Sequence, residues 1–161
     1  MKPQVGILMG SDSDLPVMEE AKKILAKFGI VSEVNILSAH RTPELTADYV
    51  KAAAGRGIRV LIAGAGMANH LAGAAAAHTI LPVIGVPLDS SSLKGIDALL
   101  STVQMPPGVP VACVAIGASG AKNAGYLAAQ ILGLSDKKIA EKLVNARIEA
   151  QAVVVEKNKK L

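Results

Sequence analysis

Apolar residues along this 161-residue chain come in short runs separated by longer amphipathic stretches. Val5–Met9, Val31–Leu37, Val60–Ala63, Pro82–Val86 and Val109–Ile116 read as strands, being short and bounded by Gly, Pro or polar clusters. Between the first two, Val17, Ala21, Ile24, Leu25 and Phe28 fall on one helical face. Asp14 stands where a cap is expected, Pro16 suits the first turn, and Gly29 marks the stop. A second helix is expected from Thr42-Pro43-Glu44 to near Gly55, and an Ala-rich third over Asn69–His78. A short fourth follows near Ile96–Val103, and a fifth over Ala121–Leu132. Strand and helix alternate throughout, which predicts an α/β fold with a five-stranded parallel sheet and right-handed crossovers, in a single domain spanning 1–161.

A sixth helix is then left over. Ser135 can cap it, and it runs over 136–160 with an apolar stripe of Ile139, Leu143, Ala146, Ala150 and Val154. That stripe is longer than the flank of a small domain can cover. In a monomer Val153, Val154 and Val155 would be exposed together, so the long C-terminal helix is expected to pack in an oligomer.

Composition narrows the function classes. Aromatics make up only 2% of the chain, and the net charge of +4 owes much to Lys157, Lys159 and Lys160 at its end. With no basic patch and no stacking aromatics, nucleic acid is not an expected partner. Cys113, the only cysteine, excludes a disulfide framework or thiolate metal site within one chain, and is expected as a small hydrophobe on a buried strand. His40, His70 and His78 lack the local spacing of metal ligands, and no serine sits in a nucleophile-elbow pattern. No signal-peptide pattern opens the chain, and its most apolar stretch, Val60 to Ala77, is broken by Asn69 and His70. The expectation is therefore a cytoplasmic protein with no membrane partner.

In an open parallel sheet the ligand lies off the carboxyl ends of the strands. That rule selects Gly10-Ser11-Asp12-Ser13-Asp14, Ser38-Ala39-His40-Arg41-Thr42, Gly64-Ala65-Gly66-Met67-Ala68-Asn69-His70, and the segment Pro87 to Ser92. The first pairs a glycine and two hydroxyls with a helix N-terminus, a natural phosphate cradle. Asp12 and Asp14 would repel phosphate if aimed at it, so one is expected to cap the helix and the other to meet hydroxyls, as on a ribose. The second segment sets a titratable imidazole beside a guanidinium fork over the same crevice, a pairing suited to proton transfer next to a bound anion. In the third, Gly64 and Gly66 offer bare backbone to a flat ring. Asn69 stands where a dinucleotide fingerprint needs its last glycine, which disfavours a Rossmann dehydrogenase. His70 reads equally well as a wall of the site or as a histidine bonded to backbone at a helix start, and His78 reads as a structural helix-end residue.

Met9-Gly10-Ser11-Asp12-Ser13-Asp14, Ser38-Ala39-His40-Arg41-Thr42-Pro43, Gly64-Ala65-Gly66 with His70-Leu71, Leu81–Pro87, Leu99–Pro106 and Asn123-Ala124 follow one another in an order that resembles the N5-carboxyaminoimidazole ribonucleotide mutase family of purine biosynthesis. The resemblance covers the chain from about Val5 to Leu143. It implies a flavodoxin-like three-layer sandwich, a homo-octamer, no metal or organic cofactor, and an isomerase that moves a carboxylate from the exocyclic nitrogen of the ribonucleotide to ring carbon 4. By the same resemblance Ser11, Ser13 and Arg41 would hold the phosphate, Asp14 the ribose hydroxyls, and the Gly64–Ala68 backbone the ring. His40 would be the acid and base. Gly10, Asp12, Ser38, Ala39, His70 and Leu71 complete the expected substrate lining. The third loop departs from the family's Gly-Gly-Ala-Ala-His-Leu-Pro-Gly at Met67, Asn69 and Ala72. Asn69 and the missing proline are similar to the related class that carboxylates with free carbon dioxide, whereas Arg41, His70 and Gln104-Met105-Pro106 are mutase-like. A non-catalytic nucleotide sensor on the same fold is the competing class; it would keep the phosphate loop but have no use for His40.

Overall fold

The computed structural model describes residues 2–160. Five parallel strands, β1 (Val5–Met9), β2 (Ser32–Ile36), β3 (Val60–Ala65), β4 (Val83–Pro87) and β5 (Ala112–Cys113), form one sheet in the order β2-β1-β3-β4-β5. This is the strand order of the flavodoxin-like fold. The helices are α1 (Leu15–Lys27), α2 (Pro43–Arg56), α3 (Leu71–Ala76), α4 (Ile96–Val103), α5 (Gly117–Gly133) and α6 (Lys137–Asn158).

The central strands are apolar on both faces because both faces are covered. In β1, Val5, Ile7 and Met9 pack with Ala21 and Leu25 of α1 and with Ala121, Ala124 and Ala128 of α5. Leu8 points the other way, toward Val50 and Ala53 of α2 and Leu71, Ala72 and Ala75 of α3. The same period of two continues in β3, where Val60 and Ile62 share the first cluster and Leu61 and Ala63 the second. Small residues set the spacing of the layers. A Cβ on Gly125 of α5 would lie 2.9 Å from the Ala21 carbonyl oxygen and 2.8 Å from Ile24 Cβ, so α5 touches α1 at backbone distance.

Several element bounds differ from the sequence-based expectation, each for a local reason. The fifth strand pairs over two residues instead of all of Val109–Ile116. Pro110 has no N–H to give a ladder, and β5 pairs with β4 only through Ala112 opposite Ile84 and Cys113 opposite Gly85, so Cys113 sits half-buried on a sheet edge. α5 starts at Gly117, before the expected Ala121, and α3 is a six-residue helix inside the expected Asn69–His78. α2 runs past Gly55 to Arg56, and the left-handed stop is Gly57 at φ 103°. The cap of α6 is Asp136, whose carboxylate accepts from the Lys138 and Ile139 N–H groups; Ser135 instead gives its hydroxyl to the Leu132 carbonyl. Along α6, Ile139 is buried, Leu143 and Ala146 rest on the core, and Val153, Val154 and Val155 are exposed together, as the sequence stripe implied for an isolated chain. No described helix is long and apolar enough to cross a membrane.

The close α1–α5 contact gives a paired test. Gly125→Ala should cost about 1–3 kcal/mol by overpacking. Gly55→Ala, in the last turn of α2 with nothing within 4 Å of the added methyl, should gain about 0.5 kcal/mol. Urea midpoints of the two variants should move in opposite directions.

Candidate active site

β1 lies inside the sheet, with β2 on one side and β3 on the other, so the loops leaving β1 and β3 part company above the strand ends. There the loops after β1, β2, β3 and β4 enclose a cavity of about 430 Å³. It is lined by Gly10, Ser11, Ser13, Asp14, Ser38, Ala39, His40, Arg41, Ala65, Gly66, Met67, Ala68, His70, Leu71 and Ser90.

The first loop folds back on itself. Ser11 opens a 3-10 turn over Asp12–Asp14, and Asp14 Oδ2 accepts the Ser11 N–H at 3.0 Å, forming a reciprocal cap one turn ahead of α1. The Asp14 side chain therefore does not cap α1 itself, where Pro16 fills the first turn. Burial pushes its carboxyl above the usual aspartate range, and the backbone N–H bonds hold it back only in part. Asp12 is exposed and stays in the loop plane. Its Oδ1 accepts from the Ser11 hydroxyl at 2.9 Å and the Ser13 N–H at 3.0 Å, which lowers its pKa, the hydroxyl bond contributing most. Of the two carboxylates, Asp14 thus caps the short 3-10 turn and not α1, and the hydroxyl that Asp12 meets is that of Ser11 in its own loop.

The second loop is a tight knot. Thr42 Oγ1 accepts from the Ser38 N–H and donates to the Ser38 carbonyl, while the Arg41 N–H donates to Ser38 Oγ at 3.1 Å. Arg41 Nη2 then donates to the Gly10 carbonyl at 2.6 Å, tying the second loop to the first and holding a guanidinium over Ser11. His40 leans the other way. Its Nε2 lies 2.7 Å from His70 Nδ1, with the rings edge to face at 78° and centroids 4.9 Å apart. One N–H fits between those two nitrogens, so the rings share a proton and leave one further nitrogen each.

The structure gathers the sequence-selected residues with two exceptions. Gly64 lies within β3 below the cavity: its carbonyl takes the Gly10 N–H, and a Cβ there would fall 2.3 Å from Met18 Sδ, so this glycine makes room for the core and not for a ring. Asp12 faces an adjacent shallow groove with Ile36 and Thr42. His70, left open between two roles, is a wall residue, and exposed His78 lies outside the cavity. Ser90 was not among the residues selected, although the strand-end rule had marked its loop. Its hydroxyl lies where a Cβ on Gly66 would stand, 1.6 Å away, so these two residues meet only because one of them is glycine.

Residues 4–152 match the model of the AIR carboxylase family. The chain belongs to this family. It is 57% identical over 160 residues to the N5-carboxyaminoimidazole ribonucleotide mutase of Pyrococcus horikoshii, covering 99% of this chain and 89% of that one. It is 52% identical over 161 residues to the mutase of Bacillus subtilis, covering 100% and 99%. The crystal structure of Treponema denticola PurE superposes with a TM-score of 0.90 at 34% identity, covering 99% of each chain.

The buried carboxyl of this family member carries a pH signature. A raised native pKa means the folded chain binds more proton than the unfolded one, so from the unfolded aspartate value of about 3.9 upward Asp14 subtracts stability as pH rises. Asp14→Asn keeps an acceptor for the Ser11 N–H and removes that titration. As pH rises from about 4 its urea midpoint should gain on that of the unaltered chain until Asp14 is ionised in the folded state too, and hold a fixed offset above that. A difference constant over the whole range would show that Asp14 titrates alike in both states.

Proposed function

We propose that this chain is an N5-carboxyaminoimidazole ribonucleotide mutase, acting in the cytoplasm as a homo-oligomer, with eight subunits implied by the sequence resemblance. The observation that carries the reading is the imidazole pair, His40 Nε2 to His70 Nδ1 at 2.7 Å, on the rim of a cavity whose other end is the Arg41-tied serine loop. Proton transfer and anion binding are then available a few residues apart, which a sensor would not need.

Ser11, Ser13 and Arg41 take the phosphate, Asp14 the ribose, and the backbone of Ala65 to Ala68 lies along the ring. The carbamate C–N bond breaks with its electron pair left on nitrogen, which receives a proton from His40, and carbon dioxide is released into the pocket. Ring carbon 4 then attacks carbon dioxide, and His40 accepts the proton that this carbon loses. The histidine ends each cycle as it began, and the step balances with no other reactant. Ala39, Ala65, Ala68 and Leu71 give carbon dioxide small apolar walls, which limits its escape to water.

The test supplies the N-carboxylated ribonucleotide in one arm and the decarboxylated ribonucleotide with bicarbonate in the other. Conversion in the first arm is expected; conversion only in the second would make the chain a direct carboxylase. His40→Asn should retain ribonucleotide affinity and lose at least about 10²-fold in turnover, in line with general acid–base catalysis. Near-normal turnover would remove His40 as the proton carrier.

Exposed Val153, Val154 and Val155, with Ile148, extend the α6 stripe beyond the core it covers, which supports assembly through this helix. Removing the residues after Ser135 should dissociate or aggregate the protein and abolish turnover. A soluble, fully active monomer in light scattering would show that each chain carries a whole site and that α6 is a solvated tail.

A further inference from the structure

We propose that Asn69 is a positioning residue that fixes His70, and through it His40, by pinning the third loop to β4 and α4. The inference rests on the reading of His40 as the proton carrier. Asn69 is fully buried, while the residues on either side of it in the chain, Ala68 and His70, are exposed at the cavity. Its side-chain amide donates to the Val86 carbonyl near the end of β4 at 3.2 Å, and its backbone N–H donates to Ser101 Oγ on α4 at 2.9 Å. Ser101 in turn gives its hydroxyl to the Asp97 carbonyl at 2.8 Å, so the anchor is itself held. Two residues earlier Met67 adopts φ 52°, a left-handed conformation that a non-glycine residue keeps only when its surroundings impose it. Anchors from two different elements to the residue next to His70 supply that imposition.

The Asn69 side chain is buried at a cost that packing does not explain. Its Oδ1 is, among the described residues, the one buried side-chain polar atom without a hydrogen-bond partner. Alanine would remove this unpartnered acceptor along with the useful donor, so stability should change little. What alanine cannot do is hold the loop. His70 has no side-chain bond to its own helix terminus, and the side-chain hydrogen bond it makes is the one to His40. A loop free to shift by an ångström therefore leaves His40 without a fixed partner, and with it a fixed tautomer.

Three variants and one spectroscopic measurement test this. Asn69→Ala should lower kcat by about tenfold, part of the roughly 10²–10⁴ that a positioned acid–base group supplies, with KM for the ribonucleotide unchanged. Ser101→Ala, which leaves the Asn69 side chain intact and removes the other anchor, should show the same split. Ala72→Pro added to Asn69→Ala should restore most of kcat, because proline at the second position of α3 stiffens the loop exit as Pro16 does at the second position of α1. Long-range proton–nitrogen spectra of the imidazoles give a readout independent of turnover: one tautomer for each of His40 and His70 in the unaltered chain, averaged nitrogen shifts in Asn69→Ala. Unchanged imidazole signals would overturn the proposal, as would equal losses in kcat and affinity. If the unaltered chain converts no N-carboxylated ribonucleotide, the functional reading fails, and the spectra still decide whether Asn69 orders the two rings.

Discussion

The placement of β1 between β2 and β3 is the constraint on which the site depends. Right-handed crossovers put α1, after β1, on one face of the sheet and α2 and α3, after β2 and β3, on the other. The first loop must therefore turn away from its two neighbours, and a crevice opens above the strand ends whatever residues line it. The chain then bridges that crevice at two points. Arg41 reaches the Gly10 carbonyl across β2 and β1, and His40 meets His70 across the loops of β2 and β3. Adjacent residues on one loop thus face opposite walls.

Small side chains are the second condition. Gly64 admits Met18, Gly66 admits Ser90, Gly85 admits Thr102, and Gly125 brings α5 onto α1. In a chain with almost no aromatics, close approach of backbone replaces bulk as the means of filling the core, and tight packing gives the loops a floor that does not yield. A site built on loops holds its geometry only to the degree that its supports are rigid.

The helices and strands were legible from the sequence because short apolar runs alternate with amphipathic stretches along the whole chain; α1, with its single apolar face, needed no tertiary information. What failed to show was edge behaviour. Val109–Ile116 has the composition of a central strand, yet β4 leaves it little to pair with, and pairing is a property of the neighbour. The cavity was legible for a similar reason: the strand-end rule depends on topology, and topology followed from alternation. Gly64 was misplaced because glycine in a strand and glycine in a loop look alike until the partner side chain, here Met18, is known. Ser90 was not selected, and Asn69 was read only as a departure from known loop patterns, because their contacts are with residues more than fifteen positions away in the chain.

The two carboxylates sharpen the question of how an acidic loop could serve the proposed anion site. Asp12 spends its charge on the Ser11 hydroxyl and the Ser13 N–H, and Asp14 turns back onto the Ser11 N–H, so both carboxylates use loop donors that phosphate would otherwise take. The guanidinium of Arg41 is the charge that offsets them. Its Nη2 bond to Gly10 uses part of a fork with five donors and leaves the rest free. An arginine held by backbone on one side and open on the other is already oriented before a ligand arrives, and little rotamer entropy is left to lose. Lysine could supply the charge but not that shared use of one planar group. The proposed phosphate site thus asks nothing more of a loop already ordered by its own carboxylates, because the cation it relies on is fixed from the loop after a different strand.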